Sequence, residues 1–364
     1  MSPRRRPSTT ISYLRVSVTD RCNQRCVYCM PAAGVPLKSH ADILRYEEIE
    51  RVVRAAVSLG VRSVRLTGGE PLVRRGLVEF AGTLAGIPGL TDLSLTTNGV
   101  LLAELARPLR QAGLGRLSLS LDTLQATRYR EITRTDLWSE AWAGLRAALE
   151  AGFDPVKVNT VVVRGLNDDE IEDMALLAAG AAGAAGAAGA AGAAGASGAV
   201  GAAVNAPFLP GRVVWRFIEL MPLGEGRAWG PQALVGADEI VLRLRNLAVG
   251  HGLPFTEAGA AFGPYGAGPS RYYRFGSAWV GVISPMTHGF CAECNRLRLT
   301  SDGKIHPCLA SPCEVDLAGP LRAGLSQEGL ARLLAEAAAM KPEAHRLLER
   351  RPELERRKMS RLGG

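Results

Sequence analysis

The sequence has 364 residues, of which 47% are hydrophobic and 21% are charged. This balance excludes a disordered chain and suits one large or two ordinary domains. Lys and Arg outnumber Asp and Glu by 43 to 35, and the net charge of +8 favours a polyanionic partner, either nucleic acid or a nucleotide. No apolar segment of a secretory signal follows the basic start, so we expect a cytoplasmic protein.

Strand-like and helical patterns alternate along the first part of the chain. Helical patterns end at glycines such as Gly60, Gly113 and Gly152, where a left-handed cap is expected. The strand-like runs are Leu14–Thr19, Val61–Thr67, Leu93–Thr97, Arg116–Leu121, Val156–Val163 and Val213–Leu220. Six such units predict an α/β fold with a parallel sheet, as an open sheet or as a full or partial barrel. The pattern weakens after about Gly230, which divides the chain into residues 11–230 and a less regular region, 231–364.

Unusual polar residues follow four of the predicted strands. They are Asp20–Cys22, Thr67–Glu70, Thr97–Gly99 and Ser120–Asp122. The carboxyl ends of parallel strands lie at one edge of the sheet, where α/β folds bind ligands. We therefore expect one shared site at this edge.

A long uncharged segment interrupts the alternation. Residues 174–211 carry no charge, but the central part is almost pure Ala and Gly. These residues gain little from transfer into a bilayer, and the tract lacks the Pro of a collagen helix. We expect residues 178–206 to form a low-complexity insertion in a surface loop, with no membrane span.

Six of the seven cysteines form two groups. Cys22, Cys26 and Cys29 make up the first cysteine group, and Cys291, Cys294 and Cys308 make up the second. Reduced thiols in a cytoplasmic protein favour metal binding over disulfides. A structural zinc ion needs four ligands, for which His40 and His306 are the nearest additions, whereas three thiolates on an iron–sulfur cluster leave one iron open to a substrate. Clusters are favoured over zinc, and Cys313 is left as a spare thiol.

Two motifs carry a resemblance to a known family. The first cysteine group, with an aromatic residue before its last Cys, and Gly68–Pro71 after the next strand resemble the radical S-adenosylmethionine (SAM) superfamily. The second cysteine group, with Asn295–Thr300 inside it, and the closing Gly363–Gly364 resemble the GTP 3′,8-cyclase family. The resemblance extends from Ile11 to Gly364. It implies a partial (β/α)6 TIM-like barrel with a C-terminal auxiliary-cluster region.

The resemblance also implies cofactors and site residues. Each cysteine group would hold a [4Fe–4S] cluster, and the diglycine tail, Gly363 and Gly364, would reach toward the active site. The residues expected to bind SAM are Tyr28, Gly69, Glu70, Ser120 and Met221. The residues expected to bind GTP are Arg15, Arg65, Thr96, Lys157, Arg296 and Arg298, with Arg216 in a comparable position.

The implied reaction is the first step of molybdenum cofactor biosynthesis. A 5′-deoxyadenosyl radical would take hydrogen from C3′ of GTP, and the C3′ radical would attack C8 of the guanine. We expect an external electron donor as a partner, and neither nucleic acid nor a membrane. A homodimer and hand-off of the product to the next enzyme of the pathway are left open.

The charged strand residues support a phosphate site independently of the resemblance. Arg15, Arg65 and Lys157 lie on predicted strands, where a charge is costly unless it is paired. Pairing with Asp or Glu is the alternative explanation. Two other functions remain as alternatives: a radical SAM enzyme with an auxiliary cluster that modifies a peptide, and a metal-containing nucleic-acid-binding protein. The basic residues are spread along the chain rather than gathered into one stripe, which argues against the nucleic-acid binder.

Overall fold

The computed structural model of the chain describes residues 11–180, 211–258, 268–345 and 347. The first half alternates strands and helices. Its strands are β1 (Tyr13–Ser17), β2 (Ser63–Thr67), β3 (Asp92–Thr97), β4 (Arg116–Ser120), β5 (Val156–Val162) and β6 (Val213–Glu219). Its helices are α1 (Tyr46–Ser58), α2 (Leu77–Ala85), α3 (Leu102–Gln111), α4 (Ala126–Thr133), α5 (Trp138–Glu150) and α6 (Ile171–Ala178).

The C-terminal region contributes further strands and helices. Its strands are β7 (Phe255–Glu257), β8 (Ser270–Phe275), β9 (Ala278–Ile283), β10 (Arg296–Leu299), β11 (Lys304–His306) and β12 (Val315–Asp316). Its helices are α7 (Ala237–Gly250), α8 (Ala318–Arg322) and α9 (Gln327–Ala339).

All described strands belong to one sheet, in the order β12-β11-β10-β1-β2-β3-β4-β5-β6-β9-β8-β7. Strands β1 to β6 are parallel neighbours, β10 extends the parallel part beyond β1, and β9 extends it beyond β6. The strands after residue 230 therefore extend both edges of the first sheet, which was not foreseen. The division at residue 230 stays a prediction.

The two faces of the parallel strands differ in chemistry because side chains alternate along a strand. One face carries apolar residues such as Leu14, Leu66 and Val158, which pack with the surrounding helices in the main hydrophobic core. The other face is polar. Ser118 on β4 accepts hydrogen bonds from Arg65 on β2 and from Arg216 on β6, at 2.8 and 3.2 Å. A flat sheet would hold β2 and β6 about 19 Å apart, so these contacts fit a sheet curved toward its polar face.

The predicted elements agree closely with the observed ones. Each of the six predicted strands is present, with ends displaced by at most two residues, and the predicted α/β class with a TIM-like partial barrel is confirmed. Gly113 and Gly152 end their helices with φ of +94° and +82°, as a left-handed cap requires.

The predicted insertion lies mostly outside the described residues. Helix α6 ends at Ala178, and the description resumes at Gly211, just before β6. The first ten residues and the diglycine tail also lie outside it. Among the described helices, none combines the length and apolar composition needed to cross a membrane.

Candidate functional site

A cavity of about 350 Å³ lies on the polar face of the sheet. Both cysteine groups line it, as does every predicted SAM and GTP residue for which the structure gives a position. Gly363 and Gly364 fall outside the described residues. Cys22 and Cys308, which are 286 positions apart, therefore meet in one site. A single cavity is what the shared edge of the strands predicts.

The first cysteine group lies in the loop after β1, where its thiols are close enough to interact. Burial raises the pKa of Cys22 to about 11. Burial also raises the pKa of Cys26 well above its usual value, and Cys29, Asp122 and Cys22 raise it further. Cys22 and Cys26 therefore resist ionisation and need a positively charged partner to become thiolates. This donor set fits the iron of a cluster with three protein ligands.

The second cysteine group follows β9 and flanks β10. Burial raises the pKa of Cys291, and the neighbouring Cys308 and Cys294 add to that effect. Burial also acts to raise the pKa of Cys294, but Arg296 and Lys341 outweigh it and lower that pKa to about 6. One thiolate is therefore present at neutral pH, and the three converging sulfur donors again fit an iron–sulfur cluster.

The two histidines considered as zinc ligands lie elsewhere. His40 is exposed and contacts Arg21, with 3.2 Å between Nε2 and Nη2. His306 is buried, with its Nδ1 3.2 Å from the main-chain oxygen of Cys313. Neither histidine lines the cavity, nor does Cys313. Within the part of the chain that the structure describes, no three His, Cys, Asp or Glu side chains are grouped so as to hold a single metal ion.

Gly69, which is expected to bind SAM, is packed closely against the loop of the first cysteine group. A Cβ at Gly69 would lie 2.2 Å from the main-chain oxygen of Arg21 and 3.0 Å from the main-chain nitrogen of Cys22. The main-chain nitrogen of Glu70 donates to that oxygen of Arg21, at 2.7 Å. The glycine therefore permits close packing of the segment after β2 against the loop of the first cysteine group.

Two buried carboxyl groups line the cavity near the first cysteine group. Glu70 accepts hydrogen bonds from Leu72 N, Thr97 Oγ1 and Asn98 N, at 3.0, 2.6 and 2.7 Å. Burial nevertheless raises its pKa to about 7. Asp122 accepts from the hydroxyl of Tyr28, and burial raises its pKa to about 6. Both carboxyl groups change charge near neutral pH, so a cationic ligand would favour their ionised forms.

Cations dominate the polar face of the strands. Arg15 on β1 lies in register with Arg65 on β2 and with Arg298 on β10. Burial and then the neighbouring Arg296 lower the pKa of Arg298 to about 10. The five residues that we call the cationic face are Arg15, Arg65, Lys157, Arg216 and Arg298, and all of them line the cavity. So many cations in a buried space favour a polyanionic ligand.

The pKa of Lys157 shows how strongly burial and the neighbouring arginines act on a charge in this cavity. This lysine lies on β5, is 3% exposed, and has a pKa lowered to about 6 by burial and then by Arg216, Arg116 and Arg65. An ordinary lysine is charged at neutral pH, whereas this one is mostly neutral until an anion arrives.

Pairing with an acidic residue accounts for Arg116, a further cation that lines the cavity. Arg116 forms an ion pair with Asp92, and its pKa is raised despite burial. Arg65 instead donates to the hydroxyls of Tyr13, Thr96 and Ser118. Hydroxyl partners satisfy the donors and leave the charge in place.

The sequence reading missed several residues that line the cavity. They are Tyr13, Arg116, Asn159, Tyr272 and Lys341. For three of them the spacing along the strand was an available signal, because residues two apart on a strand face the same side of the sheet. Tyr13 lies two residues from Arg15, Asn159 two from Lys157, and Arg116 two from Ser118. The side-chain oxygen of Asn159 is buried and has no hydrogen-bond partner among the described residues. Because Asn159 lines the cavity, this oxygen can accept a hydrogen bond from a bound ligand.

The comparisons with known proteins agree with this geometry. Residues 16–178 match the model of the Radical SAM superfamily, and residues 213–347 match that of Molybdenum Cofactor Synthesis C. GTP 3′,8-cyclase of Pelotomaculum thermopropionicum is 46% identical, over 97% of this chain and 98% of its own. That of Moorella thermoacetica is also 46% identical, with the same coverage. The chain belongs to the GTP 3′,8-cyclase family.

Membership of the GTP 3′,8-cyclase family confirms the predicted resemblance and the predicted enzyme class. Radical SAM enzymes of this family use SAM and two [4Fe–4S] clusters, as the two cysteine groups indicated. The full-length similarity to cyclases favours neither the peptide-modifying alternative nor the nucleic-acid binder. The crystal structure of Streptococcus suis SuiB bound to precursor peptide SuiA aligns over 82% of this chain and 59% of its own, at 14% identity and a TM-score of 0.49. That match is too weak to bear on the substrate.

Proposed function

We propose that the chain converts GTP to (8S)-3′,8-cyclo-7,8-dihydroguanosine 5′-triphosphate, the first step of molybdenum cofactor biosynthesis. One observation carries the proposal: both cysteine groups and the cationic face line the same cavity. A triphosphate bound to the cationic face would therefore lie in the same space as both clusters. The relatives named GTP 3′,8-cyclase support the choice of GTP.

The first cysteine group is proposed to hold the cluster that binds SAM. When bound, that cluster and SAM supply a 5′-deoxyadenosyl radical. The chain's own part is to orient SAM and exclude water from it. Tyr28 and Ser120 contribute hydroxyls at the cavity wall, and Met221 contributes an apolar surface. Glu70 and Asp122 are the proposed acceptors for a positively charged group of SAM, because the carboxyl group of each can ionise there.

The cationic face is proposed to bind the triphosphate of GTP. Guanidinium groups bind phosphate oxygens in pairs, and burial strengthens these contacts because little water competes. Arg65 is held in position by hydroxyls on β1, β3 and β4, so it is already oriented for a ligand. Thr96 adds a hydroxyl on the same wall. Lys157 would regain its proton when the phosphate binds.

The second cysteine group is proposed to hold the cluster that faces the guanine base. Arg296 and Arg298 start at this group and continue along β10 into the cationic face, which supports a ligand that spans both. The role of Gly363 and Gly364 stays a prediction. The domain division at residue 230, the cytoplasmic location, the electron donor, a homodimer and the hand-off of product also stay predictions.

Metal analysis and turnover together test the proposal. Protein purified without oxygen should contain about eight irons, with matching sulfide and no zinc. Incubation with SAM, dithionite and GTP should produce 5′-deoxyadenosine and the cyclised nucleotide, and leaving out GTP should stop cyclised product. Zinc in place of iron, or SAM cleavage with no nucleotide product, would refute the proposal.

A matched pair of variants tests the cationic face. Arg65→Met removes a buried cation from the cavity, whereas Arg62→Met removes an exposed one whose guanidinium contacts the main-chain oxygen of Gly89. We expect Arg65→Met to weaken GTP binding by at least tenfold, since a charged hydrogen bond contributes about 1.5–3 kcal/mol. Arg62→Met should bind as the parent does. Equal affinities in the two variants would contradict the proposed phosphate site.

A further inference from the structure

Lys341 is a buried lysine beside the second cysteine group to which the proposed function gives no role. It lies two residues beyond the end of α9, lines the cavity and is 3% exposed. A buried ammonium group is costly unless its donors are used and negative charge faces it. Its contacts therefore indicate what it does.

The ammonium group of Lys341 joins two separated parts of the chain. Its Nζ donates to the main-chain oxygen of Arg296 at 2.7 Å and to that of Pro307 at 2.8 Å. Arg296 lies two residues after Cys294, and Pro307 directly precedes Cys308. The side chain of Cys294 also interacts with the ammonium group electrostatically. Two of the three ammonium donors therefore join the two arms of the second cysteine group.

The charge of Lys341 faces the sulfur atoms of that group. Its ammonium group is held against the main chain two residues after Cys294 and directly before Cys308. It also interacts electrostatically with Cys291 and Cys308. A cluster becomes more negative on reduction, so a nearby cation stabilises the reduced form.

We propose that Lys341 is a positioning residue for the second cluster, which ties the Cys294 and Cys308 arms together and raises the cluster's reduction potential. The inference rests on the proposed function, since it requires a cluster at the second cysteine group. No bond is made or broken at Lys341. On reduction, one electron passes from a chemical reductant such as dithionite to the cluster, and the ammonium keeps its proton.

The test is a potentiometric titration of the reconstituted full-length chain, followed by electron paramagnetic resonance. Lys341→Met should shift the reduction equilibrium at least tenfold toward the oxidised cluster, which lowers the midpoint potential by at least 59 mV. Lys341→Arg keeps the charge and should stay near the parent value. Lys304→Met is the matched control, because it removes a lysine that pairs with Glu314 at 3.1 Å. Its midpoint should not move.

Iron content separates the possible outcomes. If Lys341→Met loses the second cluster and Lys341→Arg retains it, the tie between the two arms is supported. The potential is then measured on Lys341→Gln, which lacks the charge but keeps a donor. A parent-like potential with full iron in Lys341→Met overturns the inference, as does loss of the cluster in Lys341→Arg.

The failure of the proposed function would look different. A parent protein with about four irons rather than about eight would contradict the second cluster itself, and with it this inference. A parent with both clusters and an unmoved midpoint in the variant would overturn the role of Lys341 alone. Repeating the titration with the first cysteine group replaced, as Cys22→Ala, Cys26→Ala and Cys29→Ala together, assigns the midpoint to the second cluster.

Discussion

Binding of GTP should add a proton to Lys157. Burial and the neighbouring Arg216, Arg116 and Arg65 lower the pKa of this lysine to about 6 in the ligand-free chain. At about pH 7.5 the side chain is then about 97% neutral. A bound triphosphate favours the charged form, so binding at this pH should take up about one proton.

The same shift predicts how affinity depends on pH. Each pH unit above the pKa adds about 1.4 kcal/mol to the cost of charging Lys157. At about pH 7.5 that cost is about 2 kcal/mol, and the contribution of Lys157 to GTP affinity should fall about tenfold per pH unit above about pH 6. The contribution is fully present below the lowered pKa and declines as the pH rises through and beyond it.

Isothermal titration calorimetry can measure this uptake. GTP is titrated into the oxidised protein without SAM or reductant, so that no turnover occurs, in buffers of different ionisation enthalpy. Protonation of GTP itself is common to all variants and cancels when they are compared. Lys157→Met should take up about one proton less than the parent. Lys157→Arg should still bind GTP, and because its guanidinium is always charged, its proton uptake should change little with pH across this range. Equal uptake by the parent and by Lys157→Met would refute the reasoning.

Two further substitutions test the geometry around the cysteine groups. Gly69→Ala should destabilise the fold by about 1–3 kcal/mol and reduce the iron of the first cysteine group, because its Cβ would lie 2.2 Å from the main-chain oxygen of Arg21. Gly250→Ala has no atom within 4 Å of its Cβ and is the control. Parent-like melting and iron content in Gly69→Ala would contradict this packing. Cys291→Ser should keep reductant-dependent SAM cleavage and lose cyclised product, while Cys313→Ser, outside the cavity, should keep both. Parent yields from Cys291→Ser would contradict the proposed second cluster.

Local patterns carried the part of the fold that could be predicted. Strands β1 to β6 were recognisable because each is a short apolar run bounded by glycine or polar residues, and their shared direction follows from the intervening helices. The polar residues at the strand ends were assigned to one site because the carboxyl ends of parallel strands lie at the same edge of the sheet. Gly113 and Gly152 were predictable as helix ends, because a left-handed residue suits glycine.

Long-range pairing limited the rest of the prediction. Strand β10 lies beside β1, and Asn295 accepts a main-chain hydrogen bond from Tyr13, 282 positions away in the sequence. Nothing near Arg296 in the sequence indicates that neighbour. The partners of Lys341 are likewise 34 and 45 residues distant. Strands and caps depend on local sequence, whereas such contacts depend on how the finished sheet curves.

Transfer of hydrogen from GTP tests the central claim most directly. GTP carrying deuterium at C3′ is incubated with SAM, dithionite and the reconstituted protein without oxygen, and the 5′-deoxyadenosine is analysed by mass spectrometry. The account predicts that 5′-deoxyadenosine gains one deuterium for each cyclised nucleotide formed. Unlabelled 5′-deoxyadenosine alongside cyclised product, or SAM cleavage that never yields that product, would contradict it.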